Sequence, residues 1–146
     1  MSQIDSQSSP AAPYVVIAGY GLPGRTLVEI LQKRGIDFAV IELNALTCQR
    51  AESGGVRMLE GSAANTEVLR VAGVERATLI ALMVPSDEIV LQAVSLARKM
   101  NPTAHIIARC AFTSTGLEAI KRGADETTVA EQLVAHELAV RVKRIL

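Results

Sequence analysis

No sign of charge dominates this chain: 15 lysines and arginines balance 15 aspartates and glutamates, leaving a formal net charge of zero. There is no global basic field to hold DNA, RNA or an anionic lipid surface. Cysteine and histidine are equally sparse, with two of each. Cys48 and Cys110 stand in no CxxC or Cys/His cluster and read as buried thiols of a reducing cytoplasm, rather than a disulfide or metal pair. His105 and His136 are too isolated to argue for a metal centre. No apolar run approaches the ~18 residues that would suggest a membrane span. The amino terminus lacks the basic and apolar regions of a secretory signal.

What remains is a soluble globular composition, with 49% hydrophobic residues in a chain of 146. That is one domain's worth of chain, long enough to bury a substantial core. Residues 1–13 are rich in Ser, Gln and Pro and poor in groups to bury, so they read as a disordered leader or linker.

The stretch from Tyr14 to Gly24 organises the rest. Val15, Val16, Ile17 and Ala18 form a short apolar run suited to a buried parallel strand. Gly19, Gly21 and Gly24 then supply G-x-G-x-x-G, followed by helical spacing at Leu27, Val28, Ile30 and Leu31. Gly35 is placed to stop that helix. In this motif the first glycine permits a tight turn and the second lets backbone approach a phosphate. The third lets helix and strand lie close. A second strand, Phe38–Ile41, ends in Glu42, roughly twenty residues on, where a carboxylate would meet ribose hydroxyls.

The alternation continues. Ala45–Ser53 reads as a helix and Val56–Leu59 as a short strand. Asn65 caps a helix stopped by Gly73. Ala77–Val84 is the most apolar run and reads as a central strand. Ser86 caps a helix that ends near Asn101-Pro102, with Asp87 and Glu88 complementing its dipole. His105–Cys110 reads as a strand, Thr115–Arg122 as a helix and Glu126–Val129 as a brief strand. Residues 131–146 form an amphipathic helix with an apolar stripe of Leu133, Val134, Leu138, Val142 and Ile145. The expected fold is α/β: a Rossmann-like, doubly wound parallel sheet of about six strands with helices on both faces, the main domain spanning residues 14–130. Ligands of such sheets lie beyond the carboxyl ends of the strands at the switch point. That edge collects Gly19 to Arg25, Glu42, Gly61, Ser62, Ala63, Met83, Val84 and Arg109.

Taken in order, Gly19-Tyr-Gly-Leu-Pro-Gly24, Ile41-Glu42, Leu59-Glu-Gly-Ser-Ala63, the apolar run before Asp87-Glu88, Ile107-Ala-Arg109 and Lys121-Arg-Gly-Ala-Asp125 resemble RCK/KTN domains. These are the TrkA-N-type nucleotide-binding lobes that regulate potassium channels, Trk-type uptake systems and Kef-type antiporters. The resemblance covers about residues 14 to 135. It implies that Glu42 binds ribose hydroxyls, that Gly19 to Gly24 hold phosphates, and that Gly61, Ser62 and Ala63 lie near an adenine. The implied binding set is Gly19, Tyr20, Gly21, Leu22, Pro23, Gly24, Arg25, Glu42, Leu43, Gly61, Ser62, Ala63, Met83, Val84 and Arg109. Two departures stand out. Ser62 replaces the family's usual aspartate, and Leu22-Pro23 occupy positions that often carry arginine. Pro23 has no N–H for an anion, so Arg25 is the candidate to supply positive charge.

The resemblance implies a regulatory domain that binds NAD(H) or AMP, ADP or ATP; NADP is not expected, because the Glu42 carboxylate would face its 2′-phosphate. Its partners would be a membrane potassium channel or transporter, with no nucleic acid and no insertion into the membrane. It would be cytoplasmic, held at the inner face of the membrane through that partner. Its terminal helix would cross to a second copy, making a homodimer or larger ring. The alternative is the cofactor-binding half of an NAD-dependent oxidoreductase. For that, the sequence offers no Tyr-x-x-x-Lys pair and no histidine with an evident acidic partner.

Overall fold

A computed structural model of the chain describes residues 12–146; most of the leader expected over residues 1–13 lies outside the described residues. Six strands make one sheet: β1 Tyr14–Ala18, β2 Asp37–Glu42, β3 Met58–Glu60, β4 Leu79–Leu82, β5 His105–Cys110 and β6 Glu126–Val129. Their order is β3-β2-β1-β4-β5-β6, and every pairing is parallel. The chain moves outward from β1 in one direction, returns, and moves outward in the other. The reversal falls between β1 and β4, as the doubly wound reading expects.

The helices are α1 Leu22–Arg34, α2 Ala45–Ser53, α3 Thr66–Ala72, α4 Asp87–Met100, α5 Thr113–Arg122 and α6 Ala130–Ile145. Alternation along the strands divides the core in two. On one face Val16, Ile41, Ile80, Leu82 and Ile106 pack with Leu69 of α3, Val90 and Val94 of α4 and Ala119 of α5. On the other, Val15, Ile17, Val40 and Ala81 meet Val28 and Leu31 of α1 and Ala51 of α2. Each fully buried Val, Ile or Leu contributes about 1.5–3 kcal/mol relative to exposure. Helices therefore cover both faces.

Several boundaries differ from the sequence reading. The apolar run Ala77–Val84 pairs as a strand only over Leu79–Leu82, because Val74–Arg76 forms a 3-10 turn that delivers the chain late to the sheet. β3 begins at Met58 rather than Val56, which is buried under α2. α5 starts at Thr113, two residues early, because the Glu131 carboxylate accepts hydrogen bonds from the Thr113 amide and hydroxyl, both at 2.7 Å. α6 starts at Ala130, directly after β6. No residue of α6 is buried. No helix among the described residues is long and apolar enough to cross a membrane.

Candidate functional site

The turn after β1 starts with Gly19 at φ 100°, a conformation L side chains rarely adopt. Its amide donates to the Ile41 carbonyl at 2.8 Å, and the Met83 amide donates to the Ala18 carbonyl at 2.7 Å. These bonds hold the turn against the ends of β2 and β4. Gly21 is different: its φ is −78°, and a side chain there would meet nothing within 4 Å. Neither backbone nor packing requires a glycine at that point. Its bare surface faces open space at the start of α1, where a ligand can approach the backbone closely.

Side chains cap α2, α3 and α4 through Asn44, Asn65 and Ser86. α1 has no such cap and no acidic residue in its first turn. Its amino-terminal dipole end therefore points, uncompensated by a side chain, at the groove beyond the sheet. Across that groove stands Glu42. Its Oε1 accepts from the Tyr20 amide at 2.9 Å and its Oε2 from the Asn44 amide at 2.9 Å. The carboxylate is thus fixed in orientation by two loops, with lone pairs left for further donors.

The groove has two parts. One, about 390 Å³, is lined by Ile41, Glu42, Leu43, Asn44, Gly61, Ser62, Ala63, Val84, Pro85, Ser86 and Ile89. Its apolar walls form a slot suited to a flat ring, with polar groups at the rim. The other, about 270 Å³, is lined by Gly19, Tyr20, Gly21, Pro23, Glu42, Thr47, Met83, Pro85 and Arg109. Glu42 and Pro85 belong to both. The Arg109 guanidinium reaches the Val84 carbonyl only at 3.4 Å, so a strong acceptor could recruit it.

Twelve of the expected site residues therefore meet at this edge. Three do not line it. Gly24 is buried beneath the turn, Leu22 is 71% exposed, and Arg25 lines a separate cleft between α1 and α2. Arg25 shares a helix face with Val28 and Glu29, which helical periodicity aims at α2. It is not the charge facing the groove; Arg109 is. The groove is also lined by Ile41, Asn44, Thr47, Pro85, Ser86 and Ile89, which lie outside the expected set. Their only signal was position, within a few residues of the ends of β2 and β4.

The histidine reading needs correction. His105 does have an acidic partner, Glu126, and Asp125 lies 4.0 Å away. All three sit where β5 and β6 begin, at the opposite edge of the sheet from the groove. Both cysteines are free and buried. Burial is the main cause that raises the pKa of each thiol, which leaves neither poised as a nucleophile.

A parallel switch-point sheet, a glycine turn opening an uncapped helix and a carboxylate ending β2 together define a Rossmann-like α/β domain. The chain belongs to the TrkA-N domain family, whose model matches residues 15–130. It is 30% identical over 125 residues to the putative cation/proton antiporter YbaL of Escherichia coli, covering 86% of this chain and 22% of that protein. It is 29% identical over 114 residues to potassium channel protein 1 of Methanocaldococcus jannaschii, covering 77% of this chain and 34% of that protein. The chain thus spans a minor part of these curated relatives. Among solved structures, the TrkA-N domain of E. coli YbaL superposes with a TM-score of 0.82 at 30% identity, covering 88% of this chain and 95% of that one. The fold also matches GsuK bound to ADP (TM-score 0.76, 21% identity, 88% of this chain and 33% of that one). A third match is the Kef C-terminal domain of Shewanella denitrificans in its AMP-bound form (TM-score 0.73, 21% identity, 90% and 80%).

Proposed function

We propose that this domain binds an adenine nucleotide in the groove and regulates potassium transport through a channel, a Trk-type uptake system or a Kef-type antiporter. The observation that carries the reading is the placement of Glu42. Its carboxylate, anchored by the Tyr20 and Asn44 amides, faces the groove that the bare Gly21 backbone and the start of α1 also border. In this reading Glu42 accepts from the ribose hydroxyls. The slot of Ile41, Ala63, Val84 and Ile89 takes the adenine, with Ser62 at its edge. Gly21, the first turn of α1 and Arg109 meet phosphate. The ligand set is AMP, ADP, ATP or NAD(H). Solved relatives of the fold that hold ADP and AMP support that range.

The groove carries no histidine, and its one acidic side chain is already engaged by backbone amides, so we read the site as regulatory rather than catalytic. The domain would work in the cytoplasm beside a membrane-embedded partner. The exposed stripe of α6 would join it to a second copy in a homodimer or larger ring. Calorimetry with AMP, ADP, ATP, NAD and NADH tests the binding reading. Micromolar binding of at least one of them, weakened by Glu42→Ala, is the expected result. Absence of heat for every nucleotide, in a protein shown to be folded, rejects it.

A further inference from the structure

We propose that the cleft between α1 and α2 is a second ligand site, for a small oxyanion, distinct from the nucleotide groove. At about 600 Å³ it is larger than either part of that groove, at about 390 and 270 Å³. Its floor is apolar and buried, made by Val28, Ala51 and Val56. Its walls include two exposed arginines on different helices, Arg25 and Arg50.

The position of Arg25 is the telling feature. It stands in the first turn of α1, where the positive end of the helix dipole disfavours a cation, and that turn contains no acidic residue. Glu29 follows one turn later and borders the same cleft, yet no ion pair joins the two. The ion pairs among the described residues involve Arg70, Arg98, His105, Arg122 and Arg141, and neither Arg25 nor Arg50. Two unneutralised cations at one cavity, one of them against its own helix dipole, suit an anion from outside the chain. Glu29, at the same cleft, limits how much negative charge a ligand can carry there. A compact carboxylate or phosphate therefore fits better than a polyphosphate.

The cleft borders the nucleotide groove without being part of it. Tyr20 and Thr47 line both, whereas Gln32, Arg50 and Gly54 line only the cleft. Ser62 and Ile89 line only the groove. These two sets of residues separate the sites in a single experiment.

The test is titration of the isotopically labelled protein, followed by its amide NMR signals, with inorganic phosphate and with succinate. Ionic strength is held constant, and chloride serves as the screening control. Saturable shifts at Gln32, Arg50 and Gly54, with Ser62 and Ile89 unmoved, are the expected result. Whichever of phosphate and succinate binds more tightly names the oxyanion type. Arg50→Gln should weaken that binding about tenfold to a hundredfold, the range for one charge-assisted hydrogen bond. It should leave AMP binding unchanged. Shifts that do not saturate, that chloride reproduces, or that centre on Gly21 and Arg109 overturn the proposal. So does an Arg50→Gln protein with wild-type anion affinity. A parallel AMP titration reads the groove separately: loss of AMP binding alone rejects the nucleotide assignment and leaves this cleft standing.

Discussion

A Cβ on Gly24 would lie 2.0 Å from the carbonyl oxygen of Gly19. The first helical turn and the glycine turn before it are therefore in direct backbone contact. Gly24→Ala must push them apart and should cost at least about 1–3 kcal/mol, as other overpacked sites do. Gly21→Ala meets open space at an ordinary φ, so it should melt near wild type. It should nevertheless weaken nucleotide binding, because its methyl group fills the approach to the backbone. Thermal melts and calorimetry on the two variants separate a glycine needed for the fold from one needed for a ligand. Equal stability losses in both would contradict the assignment.

Asp125 ties three elements together. Its Oδ2 accepts from the Ile106 amide and from the Arg98 guanidinium, each at 2.8 Å. Arg98 also donates to the carbonyls of Gly123 and Ala104, at 3.0 and 2.8 Å. The Ile106 amide first, and Arg98 beside it, hold the Asp125 carboxyl below the usual carboxylate range. A depressed folded-state pKa gives stability that is fully present above the unfolded value, about 4. It is lost as pH falls through the folded value. Asp125→Asn should therefore lower the melting temperature at neutral pH by about 2–4 °C, a modest effect for a partly exposed group. The gap should close below about pH 4. Melting curves across this range check it, and a gap that widens in acid would reverse the assigned sign.

The stripe on α6 remains uncovered among the described residues: Leu133, Val134, Leu138 and Val142 are about half exposed, and Ile145 is 76% exposed. Leaving such a row in water forgoes roughly 1.5–3 kcal/mol per side chain. Wild-type protein should sediment as a dimer or larger species at micromolar concentration. The Val142→Asp, Ile145→Asp double variant should be monomeric with an unchanged melting profile for the sheet. A wild type that stays monomeric at high micromolar concentration removes α6 from this role.

The sheet and the groove at its carboxyl edge were legible because β1 to β4 are short runs rich in apolar residues, each followed within three residues by a glycine, proline or capping residue. Asn65 and Ser86 cap the helices that their positions implied. Less legible were features set by pairing across the fold. Nothing local places Ile107 opposite Glu126, yet that register brings the start of β6 beside His105. Hydropathy likewise extends the run at Ala77 past the residues that pair, since only Leu79–Leu82 has partners on both sides. Arg25 lines the cleft together with Val28, Glu29 and Gln32, the i+3, i+4 and i+7 positions of one helix face, so helix phase rather than the glycine motif decides which cavity it borders. The Lys121–Asp125 segment could be recognised as a motif, but its purpose emerges only from the Arg98 bonds to Gly123 and Asp125.

Discrimination between NAD and NADP rests on Glu42 and what surrounds it. The carboxylate would accept from a ribose 2′-OH, a charge-assisted bond of about 1.5–3 kcal/mol. The 2′-phosphate of NADP would place negative charge against it. Leu43, Asn44, Ala45 and Leu46 follow Glu42, so no cation arrives directly from β2. Thr47 borders the phosphate end of the groove, whereas Arg50, one turn further on, lines the cleft between α1 and α2. AMP, ADP, ATP or NAD(H) should therefore bind at least about tenfold more tightly than NADP(H). Glu42→Ala should weaken the preferred adenosine ligand about tenfold to a hundredfold and narrow the gap to NADP(H), since the repulsion leaves with the acceptor. It also frees the Tyr20 and Asn44 amides, which can then face phosphate. Among the accepted ligands AMP is favoured, because Pro23 offers no N–H and Arg109 is the one cation among the residues lining the groove. Calorimetry with AMP, NAD, NADH and NADPH on both proteins decides the matter: equal affinity of the wild type for NADH and NADPH would remove Glu42 from this role.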